Sequence, residues 1–173
     1  MAKIPVYIGL GGNLGDPYFT IQEALKRLSA LPQTQLSAAS RFYQTSPVYV
    51  TSQPPYINAV CRLHTELDPL QLYQEMGKIE SALGKIPKPK NEPRLIDLDL
   101  LFYGSDPYSQ NGLEIPHPRW MERLFVLIPL SDLAPTLHLN TPNGPQHFVI
   151  QDLIDAISDP TQHVSLIEKN TLP

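Results

Sequence analysis

The stretch Leu95-Ile-Asp-Leu-Asp-Leu-Leu-Phe-Tyr103 is predicted to be a β-strand, the last in an alternating series of strands and helices. Residues two apart in a strand point to the same face, so Asp97 and Asp99 are expected side by side, about 6.5–7 Å apart along the chain. The opposite face is expected to enter the core and carries Ile96, Leu98, Leu100 and Phe102. This strand therefore presents two carboxylates on one side and an apolar surface on the other.

Three strands and two helices are predicted ahead of it. Asp16-Pro17 and Asp68-Pro69 each place an N-cap aspartate before a proline suited to the first helical position, which predicts two helix starts. The order βαββαβ predicts an α+β, ferredoxin-like core with an antiparallel sheet and two helices on one face. The earlier strands are expected at residues 4–10, 35–45 and 56–66, the first of them stopped by Gly11-Gly12, and the C-terminal additions as helices near 123–133 and 150–157 and a short strand at 164–167.

Length and composition favour one folded domain over residues 1–173. The chain has 173 residues, of which 42% are hydrophobic and 17% charged, and this excludes a disordered or fibrous protein. No apolar run approaches the roughly 18 residues of a membrane helix, so neither a membrane span nor a signal peptide is expected. Cys61 is the only cysteine, which excludes an internal disulfide and favours a reducing cytoplasm. A net charge of −4 disfavours nucleic-acid binding.

Basic residues concentrate just before the last core strand. Such a segment is compatible with a small-anion site and equally with a solvated lysine-rich loop. The paired carboxylates of Asp97 and Asp99 would suit a hard cation such as Mg²⁺, but an exposed strand face paired with nearby cations explains them as well. Adjacent cations and carboxylates together indicate a phosphoryl-transfer site, and the sequence contains no P-loop motif. Five of the 13 Lys and Arg residues lie in this segment: Lys78, Lys85, Lys88, Lys90 and Arg94.

The third strand carries a second candidate site. Tyr56 and Asn58 share one face, and an aromatic ring beside an amide can stack a planar heterocycle and recognise its polar edge. A partly exposed tyrosine and a surface asparagine are the alternative. The apolar face of the same strand is expected to carry Ile57, Ala59, Cys61 and Leu63.

Residues 115–125 form a further dense segment, with an imidazole, two guanidiniums and two aromatic rings on a turn that enters a helix. Its arginines suit bidentate phosphate contacts, whereas Trp120 either stacks a base or packs over a core edge. Residues 9–15 miss the dinucleotide-binding spacing by one position and are predicted to form a turn leading to the Asp16 cap. Cys61 alternates into the core face, so covalent catalysis is not expected.

Five pieces of the chain, in order, resemble the 6-hydroxymethyl-7,8-dihydropterin pyrophosphokinase family of the folate pathway. The Pro-Arg-x-Ile-Asp-Leu-Asp piece followed by Ile-Pro-His-Pro-Arg is highly specific. The ferredoxin-like fold that the resemblance implies agrees with the predicted element order. The matching pieces are Gly11-Gly-Asn-Leu-Gly-Asp16, Thr45-Ser-Pro47, Tyr56-Ile-Asn58-Ala, Pro93-Arg-Leu-Ile-Asp-Leu-Asp-Leu-Leu-Phe-Tyr-Gly104, and Ile115-Pro-His-Pro-Arg119 with Arg123-Leu-Phe125.

The resemblance implies that pyrophosphate passes from ATP to the pterin hydroxymethyl group and AMP is released. It implies two Mg²⁺ ions, with Asp97 and Asp99 as metal ligands and these two and Arg94 as catalytic residues. We expect the protein to be a cytoplasmic monomer. A non-catalytic ferredoxin-like ligand-binding module is the alternative. The implied pterin contacts are Thr45, Pro47, Val48, Tyr56, Asn58 and Phe125, and the implied ATP contacts are Glu80, Lys85, Lys90, Arg94, Leu100, His117 and Arg123.

The chain departs from the family pattern ahead of the aspartates. Many members carry Arg-Trp-Gly-Pro-Arg there, and this chain has Lys90-Asn-Glu-Pro-Arg94. A lysine therefore replaces a forked arginine, and the tryptophan is missing. Because Pro87, Pro89 and Pro93 restrict the backbone, we expect a stiffer loop than in other members.

Overall fold

The computed structural model describes residues 2–45, 53–86 and 93–168. These residues form helices α1 (Pro17–Ser29), α2 (Pro69–Ala82), α3 (Leu124–Leu133) and α4 (Ile150–Ala156), with a short 3-10 helix at Trp120–Glu122 before α3. Their strands are β1 (Ile4–Gly12), β2 (Thr34–Ala39), β3 (Tyr43–Thr45), β4 (Tyr56–Thr65), β5 (Asp97–Tyr103), β6 (Tyr108–Gln110), β7 (Leu113–Ile115), β8 (Thr136–Thr141), β9 (Gly144–Val149) and β10 (Val164–Leu166).

The main sheet confirms the predicted ferredoxin-like core. Its strands follow the order β10-β3-β4-β1-β5, and β2 also pairs with β4. Every pairing in it is antiparallel. The central strand β1 therefore lies between β4, which carries Tyr56 and Asn58, and β5, which carries the two aspartates.

Helices cover both faces of this sheet. Helices α1 and α2 start as predicted, because Asp16 Oδ1 accepts a hydrogen bond from Phe19 N at 3.2 Å and Asp68 Oδ1 accepts one from Gln71 N at 2.8 Å. Their buried residues join one face of the sheet in a core that includes Ile8, Ile21, Leu28, Leu63, Leu72 and Met76. Helices α3 and α4 cover the other face in a second core that includes Val60, Leu101, Phe102, Trp120, Leu127 and Ile150.

The predicted strand at 35–45 is divided in two. The backbone N–H of Ser40 donates to Val60 O at 2.8 Å, and its hydroxyl accepts from Val60 N at 2.9 Å. A side chain therefore replaces one rung of the backbone ladder at this point. As a result β2 pairs with the second half of β4, and β3 with its first three residues, Tyr56–Asn58.

Phe102 lies on the opposite face from the one predicted. Tyr7 pairs with Phe102 and Ile8 with Leu100, so Leu101 is an extra residue in β5. This bulge reverses the alternation beyond Leu100. Phe102 therefore packs in the second core, edge-on to Trp120 at 5.0 Å between ring centroids.

Strand β1 continues through the glycines that were expected to stop it. A Cβ atom at Gly12 would lie 2.5 Å from Leu95 O, so only glycine permits this close approach to the segment before β5. The β6–β7 and β8–β9 hairpins were not predicted. Within the described residues, no helix is long and apolar enough to cross a membrane.

Candidate functional site

One cavity of about 470 Å³ is lined by residues from strands β1, β3, β4 and β5 of the main sheet and from the start of α3. Its volume lies in the range of small-molecule sites, roughly 300–1,000 Å³. The carboxylates of β5 and the aromatic–amide pair of β4 open into it together, although they come from strands separated by β1. Seven predicted site residues line it: Thr45, Tyr56, Asn58, Asp97, Asp99, Arg123 and Phe125.

Asn58 is held in a fixed orientation inside this cavity. Only 8% of it is exposed, and its Oδ1 accepts a hydrogen bond from Thr45 Oγ1 at 2.8 Å. Gly11 pairs with Asn58 across the sheet, and a Cβ atom at Gly11 would overlap Asn58 Nδ2. The alternative of a surface asparagine is therefore wrong, and the glycine at position 11 makes room for the amide.

Asp97 and Asp99 share a face of β5, as predicted, and both line the cavity. Burial and the neighbouring Asp97 raise the pKa of Asp99 to about 6, and the positive charge of Arg123 partly offsets this. Burial also raises the pKa of the Tyr56 hydroxyl, and Asp97 raises it further while Arg94 lowers it. The charges of Asp97, Arg94 and Arg123 are therefore close enough to the Asp99 carboxyl or the Tyr56 hydroxyl to shift its pKa.

Lys85 joins the carboxylates of two elements. Its Nζ lies 2.8 Å from Glu80 Oε2 and 2.8 Å from Asp97 Oδ1, and only 23% of its side chain is exposed. Glu80 Oε2 also accepts from Leu98 N at 2.8 Å, on the outer edge of β5. Glu80 therefore provides a hydrogen-bond acceptor for a backbone N–H at the edge of the sheet and holds Lys85 beside the Asp97 carboxylate.

Arg94 lies near the same site but outside the main cavity. Together with Lys85 it lines a second pocket of about 70 Å³.

The Leu100 side chain is buried in the first core, and neither Leu100 nor His117 lines the cavity. Burial and the charges of Arg123 and Arg119 lower the pKa of His117, which favours a neutral imidazole. The predicted site residues Pro47, Val48 and Lys90 lie outside the described residues.

Asn13 supports the site by holding residues that line it, and the sequence did not indicate this role. Its Oδ1 accepts from Arg94 N at 2.8 Å, and its Nδ2 donates to Gln53 Oε1 at 3.0 Å and Pro54 O at 3.1 Å. Its backbone N–H donates to Arg94 O at 2.9 Å. The segment predicted only as a turn toward the Asp16 cap therefore also holds Arg94 and the entry to β4 in place.

The remaining candidates divide between cavity and core. Arg119, one of the two arginines of residues 115–125 that suit phosphate contacts, lines the cavity, and so does Glu122, which the sequence did not point to. Trp120 is buried against Phe102 and Phe148, so of its two predicted roles, base stacking or core packing, the structure shows core packing. Cys61 is fully buried, and burial raises the pKa of its thiol to about 12, which agrees with a structural role.

Most of the chain matches one protein-family model. Residues 7–135 match the model described as 7,8-dihydro-6-hydroxymethylpterin-pyrophosphokinase (HPPK). The chain belongs to this family. The resemblance found in the motifs is confirmed, and every predicted site residue lies within the matched region. Family membership makes the chain a pyrophosphokinase, the enzyme class that the motifs predicted.

Individual relatives agree with the family. The chain is 37% identical over 156 residues to the 2-amino-4-hydroxy-6-hydroxymethyldihydropteridine pyrophosphokinase of Haemophilus influenzae, covering 90% of this chain and 94% of that one. It is 40% identical over 139 residues to the protein of the same name from Pseudomonas aeruginosa, covering 80% and 85%. Against the folic acid synthesis protein FOL1 of Dictyostelium discoideum the identity is 39% over 151 residues, but the chain spans only 23% of that protein.

A solved HPPK-DHPS structure shares the fold. The wild-type protein of Plasmodium falciparum with pteroate superposes with a TM-score of 0.67 at 15% identity, over 88% of this chain and 42% of that chain. This likeness supports the ferredoxin-like HPPK fold. The chain thus spans nearly all of the bacterial relatives and less than half of these larger ones.

The donor set of the cavity suits a hard divalent cation. Among the described residues, no group of three or more His, Cys, Asp or Glu side chains is placed to hold a metal. Mg²⁺ nevertheless binds through one or two carboxylates and fills its other positions with water and phosphate oxygens. Burial first and the neighbouring Asp97 second raise the pKa of Asp99, so its ionised carboxylate is unfavourable here, and a cation between the two aspartates would stabilise it.

Proposed function

We propose that the protein transfers pyrophosphate from ATP to the hydroxymethyl group of 6-hydroxymethyl-7,8-dihydropterin and releases AMP, a step of folate biosynthesis. The observation that carries the proposal is that Asp97 and Asp99 open into the same cavity as Tyr56, Asn58 and Phe125. Phosphate chemistry and recognition of a flat heterocycle are thereby brought together. Membership of the HPPK family supports this function over the non-catalytic module.

The pterin binds between Tyr56 and Phe125 in this proposal. Both aromatic residues line the cavity, and Asn58, on the same strand as Tyr56, accepts a hydrogen bond from the Thr45 hydroxyl. Because Thr45 fixes the amide, Asn58 can recognise the ring edge without first ordering its own side chain. Pro47 and Val48, which follow Thr45 in sequence, contribute further contacts in the family pattern.

ATP binds on the cationic side of the site in this proposal. Arg123 takes phosphate oxygens within the cavity, while Lys85 and Arg94 contact them from the neighbouring pocket. Glu80 acts by holding Lys85, and Leu100, whose side chain is buried, contributes its backbone. His117 and Lys90 complete the ATP contacts expected from the motifs.

Two Mg²⁺ ions belong to the proposal, with Asp97 and Asp99 as their protein ligands. When bound, Mg²⁺ would neutralise phosphate charge and lower the pKa of the pterin hydroxyl. The residues themselves contribute proximity and charge. The aromatic pair orients the hydroxymethyl group, and the cations of Arg94, Lys85 and Arg123 stabilise the negative charge that develops on the departing AMP.

The proposal also includes the cell compartment and the assembly state. We place the enzyme in the cytoplasm as a monomer of one domain spanning residues 1–173. The use of a single, buried cysteine, Cys61, supports a reducing compartment. Its partners are then the two small-molecule substrates.

The test is an initial-rate assay of AMP formation with ATP, Mg²⁺ and the pterin alcohol. AMP should form only when all three are present, and EDTA should stop it. Asp97→Asn and Asp99→Asn should each lower the rate by at least 100-fold, because each removes a proposed metal ligand. Binding of both substrates by calorimetry without any AMP would instead support the non-catalytic module.

A further inference from the structure

The C-terminal part of the chain completes the cavity wall. Residues beyond 135 lie outside the region that the family model matches. Three of them, Asp159, Thr161 and Gln162, nevertheless line the same cavity as the two aspartates. They follow α4 and come just before β10, which pairs with β3 through Val164 and Thr45. The segment is therefore anchored on both sides and forms part of the site.

Gln162 holds the backbone on both sides of Arg123. Its Oε1 accepts from Leu124 N at 2.9 Å, and its Nε2 donates to Glu122 O at 3.1 Å. Leu124 N belongs to the first turn of α3, whose amide groups have no partner within the helix. The N-cap residue Arg123 supplies no side-chain hydrogen bond to that turn, so the Gln162 side chain accepts the Leu124 N–H instead.

A tight turn at residues 159–162 fixes the backbone of Gln162. Asp159 Oδ1 accepts from Thr161 N at 2.9 Å and from Thr161 Oγ1 at 2.7 Å. The backbone N–H of Gln162 donates to Asp159 O at 3.2 Å. The side chain of Gln162 therefore starts from an ordered backbone, and little entropy is lost in holding its amide against α3.

We infer that Gln162 is a positioning residue that directs Arg123 into the cavity and, through Arg123, supports ATP binding. The guanidinium of Arg123 lies over the Phe125 ring, 5.5 Å from its centroid, so a shift of the α3 start moves a proposed ATP contact and a proposed pterin contact together. The inference rests on the proposed function only for the identity of the ligands.

The test is a double-mutant cycle between Gln162→Ala and Arg123→Ala, with the dissociation constant for ATP in the presence of Mg²⁺ as the readout. Gln162→Ala alone should weaken ATP binding about tenfold, and Gln162→Met, which keeps the length of the side chain but removes the hydrogen bonds to Leu124 N and Glu122 O, should weaken it to a similar extent. In the Arg123→Ala background, Gln162→Ala should have little further effect. Gln151→Ala is the matched control, because Gln151 makes its hydrogen bond to Asp155 on the exposed face of α4.

Each outcome decides the inference. Equal weakening by Gln162→Ala in both backgrounds, or wild-type affinity in Gln162→Ala, would overturn it. If Gln162→Ala fails to fold, the Gln162→Met cycle applies the same criterion. Because the readout is binding, absence of AMP release from the wild-type protein would refute the proposed function and leave this test intact.

Discussion

Replacing Asp99 by asparagine should stabilise the protein at neutral pH while removing its activity. Burial and Asp97 raise the pKa of the Asp99 carboxyl from 3.8 to about 6. A shift of about two units corresponds to an upper limit of about 3 kcal/mol by which the ionised carboxylate destabilises the fold. Asparagine has nearly the same size and carries no charge, so Asp99→Asn should gain about 1–3 kcal/mol at pH 7.5.

The sign of the pH dependence follows from the same shift. A carboxyl whose folded pKa is raised contributes its stability below pH 3.8, and this contribution is lost as the pH rises through about 6. The advantage of Asp99→Asn should therefore grow between pH 4 and 7 and disappear at lower pH. Urea unfolding of the wild type and of Asp99→Asn in EDTA at several pH values measures this difference in the free energy of unfolding.

Asp132 provides a control of opposite sign. Hydrogen bonds from Arg41 and Tyr43 outweigh burial and lower the pKa of its carboxyl. Asp132→Asn should therefore be less stable than the wild type at pH 7.5, and the difference should shrink as the pH falls below about 4. If Asp99→Asn were destabilising at pH 7.5, or its effect did not depend on pH, the claim that burial and Asp97 disfavour the ionised Asp99 carboxylate would be refuted.

Three further substitutions test separate parts of the site. Asn58→Ala should weaken pterin binding about tenfold or more, with ATP affinity unchanged by calorimetry, because ring polar groups lose a partner in a closed pocket. Gly11→Ala should also impair pterin binding, since its Cβ would overlap the Asn58 amide, whereas Gly77→Ala, a control whose Cβ meets nothing within 4 Å in α2, should raise stability by up to about 1 kcal/mol. Lys85→Met should raise the KM for ATP at least tenfold and lower the melting temperature, because it leaves two part-buried carboxylates uncompensated. Lys78→Met, which removes only an exposed ion pair, should change neither quantity, and equal effects at both lysines would contradict the role given to Lys85.

Features coded by neighbouring residues could be predicted from the sequence. The two helix starts depend on an aspartate and the proline after it, and the shared face of Asp97 and Asp99 depends only on strand periodicity. The shared face of Tyr56 and Asn58 follows from the same periodicity, and the family motifs added Thr45 and the pterin role of Phe125. These elements needed no knowledge of distant contacts.

Features that depend on distant partners could not be predicted. Phe102 changes face because β5 bulges against β1, and nothing within β5 itself signals the extra residue. Asn13 reaches Arg94 across 81 positions, and Gln162 reaches Leu124 across 38. Such contacts are decided by tertiary packing, which overrides local pattern, so an amide in a polar loop reads as a surface residue until the fold is known.

The fate of the β-phosphate of ATP tests the central claim most directly. With ATP labelled at the β-phosphorus, Mg²⁺ and the pterin alcohol, pyrophosphoryl transfer predicts that the label appears in the pterin product and that unlabelled AMP forms in equal amount. Label recovered in ADP, with a pterin monophosphate as the product, would show single-phosphate transfer and contradict the account.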